Sequence, residues 1–143
     1  MPIKNYSTTK DPIDTIAEIE KILVKNGCSG VSKEYDNGVP MAVYFTFIIN
    51  EHPVNFKLEA RQRATLKILE EDKSIPNSYK NEEQALRVSW RIIKDWIDSQ
   101  LAYIQTGQVK FEELFLPKAV DHTGRTFFER LNEKDNMKLL TGE

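Results

Sequence analysis

The chain has little of what usually carries chemistry. Its 143 residues include a single cysteine, Cys28. One thiol cannot form an internal disulfide, so a secreted disulfide scaffold is excluded. The two histidines, His52 and His122, stand far apart, with no His-x-x-x-His or Cys-x-x-Cys spacing. The sequence therefore nominates no metal site and no cofactor. The six glycines are scattered and form no phosphate-cradling loop. Charge of one sign is also missing: 20 Lys and Arg face 22 Asp and Glu, a net −2. A generic nucleic-acid coat is far more basic, so any anion site must be a local patch. The longest apolar run, Met41 to Ile49, is broken by Thr46. It falls well short of the ~20 residues a bilayer span needs. The opening Met1-Pro2-Ile3-Lys4-Asn5-Tyr6 has no apolar signal region. Together these absences point to a cytoplasmic protein with no membrane partner.

What is present is enough apolar material for a core: 40% of the residues are hydrophobic. The length suits one domain over residues 1–143. Residues 3–8 have the composition of a short opening strand. Asp11-Pro12 then reads as a helix start, since Asp caps free amides and Pro suits the first helical position. Ile13, Ile16, Ile19 and Leu23 follow at helical spacing and Gly27 suits the stop, giving a helix over 12–26. Residues 30–36 read as a strand, and Asp36-Asn37-Gly38 as a hairpin turn. In the next strand Met41, Val43, Phe45, Phe47 and Ile49 alternate with Ala42, Tyr44, Thr46 and Ile48. Both sets are fairly apolar, which predicts a central strand covered on both faces. A turn at Glu51-His52-Pro53 leads to a third strand, Val54–Glu59. The expectation is an α+β fold: an antiparallel sheet of three strands, or four if residues 3–8 join it, packed with helices. Further helices are predicted over 60–72, over a long stretch 81–106, and as short pieces at 109–116 and 126–134. The tail from about 135 to 143 reads as loose.

The long third helix carries the informative pattern. At ~1.5 Å per residue, residues 81–106 would run about 39 Å. On a helical wheel Ala85, Val88, Ile92, Ile93, Trp96, Ile97, Tyr103 and Ile104 fill a broad apolar arc. Gln84, Arg87, Arg91, Lys94 and Asp98 fill the opposite stripe, flanked by Trp90 and Leu101. Guanidinium groups fork onto phosphate, and an aromatic ring beside them can stack. Arg87, Trp90, Arg91 and Lys94 thus form one candidate ligand-binding set. The competing reading is a solvated face whose cations pair with acids such as Glu83 and Asp95. A second cationic group, Arg61, Arg63 and Lys67, opens the helix predicted over 60–72. Cations there oppose the helix dipole and call for an acidic neighbour or an anionic ligand. No catalytic residue is nominated, because no nucleophile, base or metal constellation is visible.

The run Trp90-Arg91-Ile92-Ile93-Lys94-Asp95-Trp96-Ile97 carries a resemblance. So do Phe115-Leu116-Pro117, Gly124-Arg125-Thr126 and the opening Ile3-Lys4-Asn5-Tyr6. Together they resemble a family of short uncharacterised proteins encoded by bacteriophages, prophages and other mobile elements, over nearly the whole chain. The resemblance implies a genomic setting rather than a mechanism. The order helix, three strands, helix over 12–72 also resembles the double-stranded-RNA-binding domain. The chain lacks that domain's lysine-rich helix entry, and its second turn is short and acidic.

Three functions compete at this point. The first is a non-enzymatic binder of a phosphate-bearing ligand, either nucleic acid or a signalling nucleotide sequestered as counter-defence. The −2 net charge favours a compact pocket over a polymer track. The second is a protein–protein adaptor or inhibitor, with the length and apolar arc of the long helix serving a homo-oligomeric interface. The third is a nucleotide-processing enzyme.

Overall fold

The computed structural model describes residues 1–133 and 135–142. It is an α+β fold with an open four-stranded antiparallel sheet in the order β1-β2-β3-β4. Helix α1 (Pro12–Lys25) starts where the Asp11 carboxylate accepts the Ile13 amide at 3.0 Å. It buries Ile16, Ile19 and Leu23 and stops beside Gly27, whose φ of +103° is costly for any side chain. Strands β1 (Gly30–Asp36) and β2 (Val39–Ile49) form a hairpin around Asn37 and Gly38, both at positive φ. That is the geometry the Asn-Gly pair favours. The β2–β3 turn is Asn50-Glu51, also at positive φ, so His52 and Pro53 belong to β3 (His52–Glu59) rather than to the turn.

The fourth strand is not residues 3–8. It is β4 (Ala119–Val120), which pairs with Asn55 and Phe56 of β3. Residues 3–8 turn instead, with Asn5 at positive φ, and dock on helix α3 (Glu82–Gln105). The Gln84 amide donates to the carbonyls of Tyr6 at 2.8 Å and Thr8 at 2.9 Å. Asp95 takes Asn5 at 2.9 Å and Lys4 at 3.1 Å. Two polar residues of the long helix are thus anchors for the amino-terminal segment.

One face of the sheet carries the main core. Val43, Phe45, Phe47, Phe56 and Leu58 pack with Ile16, Ile19 and Leu23 of α1 and with Trp90, Ile97 and Leu101 of α3. The other face is open, contrary to the expectation of a doubly covered β2. Ile48 there is 58% exposed. Tyr44 donates its hydroxyl to Glu34 at 3.0 Å, and Thr46 donates to Asn55 at 2.6 Å. Side chains satisfied among themselves in this way tolerate water.

Helix α2 (Gln62–Glu71) lies against α3, not against the sheet, which separates this fold from the double-stranded-RNA-binding arrangement. A small second core forms there from Leu69, Ile75 and Ala85, with Ile3, Tyr6, Leu66 and Tyr79 around it. Helix α4 (Phe111–Phe115) folds back over the far half of α3: Phe111 stacks on Phe47 at 4.0 Å, and Phe115 meets Trp96 at 5.1 Å. The apolar arc of α3, expected to serve a shared interface, is therefore covered largely by α1, α2 and α4 of the same chain. Helix α5 (Phe127–Leu131) begins with a capping box of Thr126 and Glu129. It ends before Lys134, the last residue of the expected 126–134 helix and one that lies outside the described residues. In the tail expected to be loose, Lys138–Thr141 form one helical turn, α6; Glu143 lies outside the described residues. No helix among the described residues is long and apolar enough to cross a membrane.

Candidate functional site

The six nominated residues do not converge. Trp90 is fully buried, because it points into the main core with the sheet and α1. Its indole nitrogen donates to the Pro40 carbonyl at 3.0 Å. It cannot stack on a ligand; its structure-bearing contact is with the start of β2. Arg91 is held by α1, where its guanidinium meets the Glu18 carboxylate at 2.5 Å and the buried Thr15 hydroxyl at 3.4 Å. Lys94 pairs with Asp98 one turn on, at 2.7 Å. These two cations face carboxylates of the same fold and form ion pairs rather than an anion seat.

Arg87 differs. Its partner Glu83 is 3.9 Å away and 87% exposed, so the pair is loose and worth little. The Arg87 guanidinium also donates to the Gln84 side-chain oxygen at 3.1 Å. It lines an open hollow of about 460 Å³ between the start of α1, the β1–β2 hairpin and the start of α3. A second hollow of about 380 Å³ adjoins it and is lined by Arg61 and Arg63. The two share Asp36, Asn37, Met41, Gln62 and Glu82, and so form one groove. The structure thus gathers Arg61, Arg63 and Arg87 and leaves Trp90, Arg91 and Lys94 elsewhere.

The floor of this groove is fixed from below. Trp90 holds Pro40, and the Ala60 amide donates to the Met41 carbonyl at 2.8 Å. The Gln62 amide donates to the Glu82 carbonyl at 2.6 Å, tying the starts of α2 and α3 together. No side chain caps α2 and its first turn holds no acid, so its amino end offers partial positive charge to the groove. Asn81 caps α3, whose first-turn acids Glu82 and Glu83 stand on the opposite wall.

Among the described residues, Arg61 and Arg63 make no ion pair. Arg61 only helps, with the Thr126 hydrogen bonds as the larger cause, to hold the Glu129 carboxyl below its ordinary value. Asp36 and Glu82 are likewise without a side-chain partner, whereas Glu59 is spent on Lys57 at 3.0 Å. Unspent guanidinium groups on one wall and unspent carboxylates on the other can hold a ligand that is anionic at one end and hydrogen-donating at the other. A long polyanion would meet the acids as well as the arginines.

The loss of Arg91 from the candidate set could not be read from the wheel, because Glu18 lies 73 residues away in sequence, whereas the partner of Lys94, Asp98, stands one turn on in the same stripe. The acids Asp36 and Glu82 were missed, since nothing local marks them. Among the described residues there is no group of three or more His, Cys, Asp or Glu placed to hold a metal ion. Comparison with protein-family models, with curated proteins and with solved structures finds no match to this chain.

Proposed function

We propose that this chain is a non-enzymatic binding protein for a compact phosphate-bearing ligand, a nucleotide in the first instance, seated in the groove over Met41. One observation carries the reading: Arg61 and Arg63, which make no ion pair among the described residues, share a continuous hollow with Arg87 and with the unspent acids Asp36 and Glu82. The arginines and the uncapped start of α2 take the phosphate; the acids accept N–H groups from the base. The residues lining the groove include no serine, cysteine or histidine, which supports binding without turnover. The resemblance to phage and mobile-element proteins fits a small cytoplasmic protein that acts by sequestering such a ligand.

Calorimetric titration with pyrophosphate, ADP and cyclic di- and trinucleotides, at low and moderate salt, tests the reading. Binding should be lost in an Arg61→Ala/Arg63→Ala variant and kept in Arg91→Ala. The salt slope should be shallow, close to two released counterions, rather than the steep slope of a polymer track. No binding of any of these probes at low salt overturns the proposal.

A further inference from the structure

We propose that Gln84 is a positioning residue for the groove over Met41. It aims Arg87 at the ligand and ties that seat to the amino-terminal segment, so that filling the groove tightens residues 3–8. The inference rests on the reading of the groove as a phosphate seat. Gln84 is 5% exposed and lines neither hollow of the groove. Its side-chain nitrogen donates to the carbonyls of Tyr6 at 2.8 Å and Thr8 at 2.9 Å. Its side-chain oxygen accepts from the Arg87 guanidinium at 3.1 Å. The orientation is forced, because backbone carbonyls only accept and a guanidinium only donates. The nitrogen end is thus spent on the segment and the oxygen end on Arg87.

The geometry links the two ends. A guanidinium carries its N–H donors in a rigid fork. With Nη1 of Arg87 on Gln84, the other nitrogens are left for a phosphate, since Glu83 at 3.9 Å holds only loosely. A phosphate that fixes Arg87 from the groove side fixes Gln84 behind it. The charged donor also polarises the amide, which strengthens its bonds to the two carbonyls. The segment in turn holds the amide still. Ile3 and Tyr6 pack into the small second core, Tyr6 meets Tyr79 edge to face at 5.6 Å, and Asn5 reaches Asp95 at 2.9 Å. Beyond Thr8 the same segment runs into Asp11, Pro12 and Ile13, which line the groove. Segment and seat are therefore joined twice, through a side chain and through the backbone. Coupling of this kind is reciprocal: what the ligand does for the segment, the segment does for the ligand.

Amide exchange followed by NMR on the full chain, with and without saturating pyrophosphate, tests this. The Tyr6 amide donates to the Ile3 carbonyl at 3.3 Å and the Thr8 amide to the Asn5 carbonyl at 3.0 Å, so both report on the segment. Pyrophosphate should slow their exchange about fivefold and leave Gly124, in the turn after β4, unchanged. In Arg87→Ala, brought to the same occupancy with more pyrophosphate, the segment should exchange as in the unliganded wild type. The reciprocal variant is Asn5→Gly, which suits the positive φ there, loses the bond to Asp95 and lies outside the groove. It should weaken pyrophosphate binding by about two- to fivefold. Unchanged or faster exchange at Tyr6 and Thr8 with the groove filled overturns the proposal. So does protection that persists in Arg87→Ala, or wild-type affinity in Asn5→Gly. Each of those results leaves the groove standing as a ligand seat, whereas calorimetry that finds no pyrophosphate binding overturns the groove and the coupling together.

Discussion

Replacing Arg91 by alanine separates the two roles that arginine plays in this protein. The Arg91 guanidinium joins α3 to α1 through Glu18 at 2.5 Å, with its side chain 19% exposed and that of Glu18 38% exposed. A charge-assisted hydrogen bond away from water is worth about 1.5–3 kcal/mol, and an exposed pair about 0–1 kcal/mol. With one partner mostly buried and the other partly wet, the loss should be about 1–2 kcal/mol. In a chain of this length that lowers Tm by roughly 3–8 °C. Arg61→Ala/Arg63→Ala removes two exposed side chains without ion pairs and should stay within about 0.5 kcal/mol of the wild type. Urea unfolding followed by tryptophan fluorescence measures both, and pyrophosphate titration of the same samples supplies the second axis. Arg91→Ala should be less stable yet bind normally; the Arg61, Arg63 variant should be normally stable yet fail to bind. The reverse pattern, with Arg91→Ala stable and binding lost, would refute the assignment of Arg91 to structure and of the groove to ligand.

Three further perturbations follow from the same contacts. Trp90→Phe leaves the buried Pro40 carbonyl without its donor and should cost about 1–3 kcal/mol, read by chemical denaturation. It should also weaken ligand binding, since Pro40 lines the groove. Gln84→Ala frees the carbonyls of Tyr6 and Thr8 and should expose the first ten residues to limited proteolysis, with the rest of the chain intact. Acid should loosen the turn after β4. There the Thr123 hydroxyl, followed by the Thr123 and Arg125 amides, holds the Asp121 carboxyl down from 3.8 to about 2. A carboxyl depressed in the folded state stabilises above its ordinary pKa and loses that contribution as pH falls toward about 2. Between about pH 4 and 2, amide protection at residues 121–125, taken relative to the intrinsic exchange rate at each pH, should therefore fall in the wild type, while in Asp121→Asn it should already be low at pH 4.

Where the fold could be read locally, it was. Asp11-Pro12 and Gly27 bracket α1, and Asn37-Gly38 makes the first hairpin. What escaped was set by distant partners. Residues 3–8 have strand-like composition, but Gln84 and Asp95 claim their polar groups before any sheet edge does. Trp90 sits at the border of the apolar arc on a wheel, and only the packing of that edge of α3 onto the sheet and α1 buries it. Ala119 and Val120 are too few to announce a strand, yet Asn55 and Phe56 are there to pair with them. The site shows the same division. The basic residue types were visible, but the groove is assembled from residues 11–13, 36–41, 59–64 and 82–87, which meet only when the hairpin lies beside the starts of α1, α2 and α3.

The most direct measurement follows the arginine side-chain Nε–H resonances by NMR while ADP or pyrophosphate is added. Arg61, Arg63 and Arg87 should shift together along one binding curve, with Arg91, Arg125 and Arg130 unmoved. Movement of Arg91 without Arg61 and Arg63, or no movement of any of them at low salt, would contradict the groove as the seat of function.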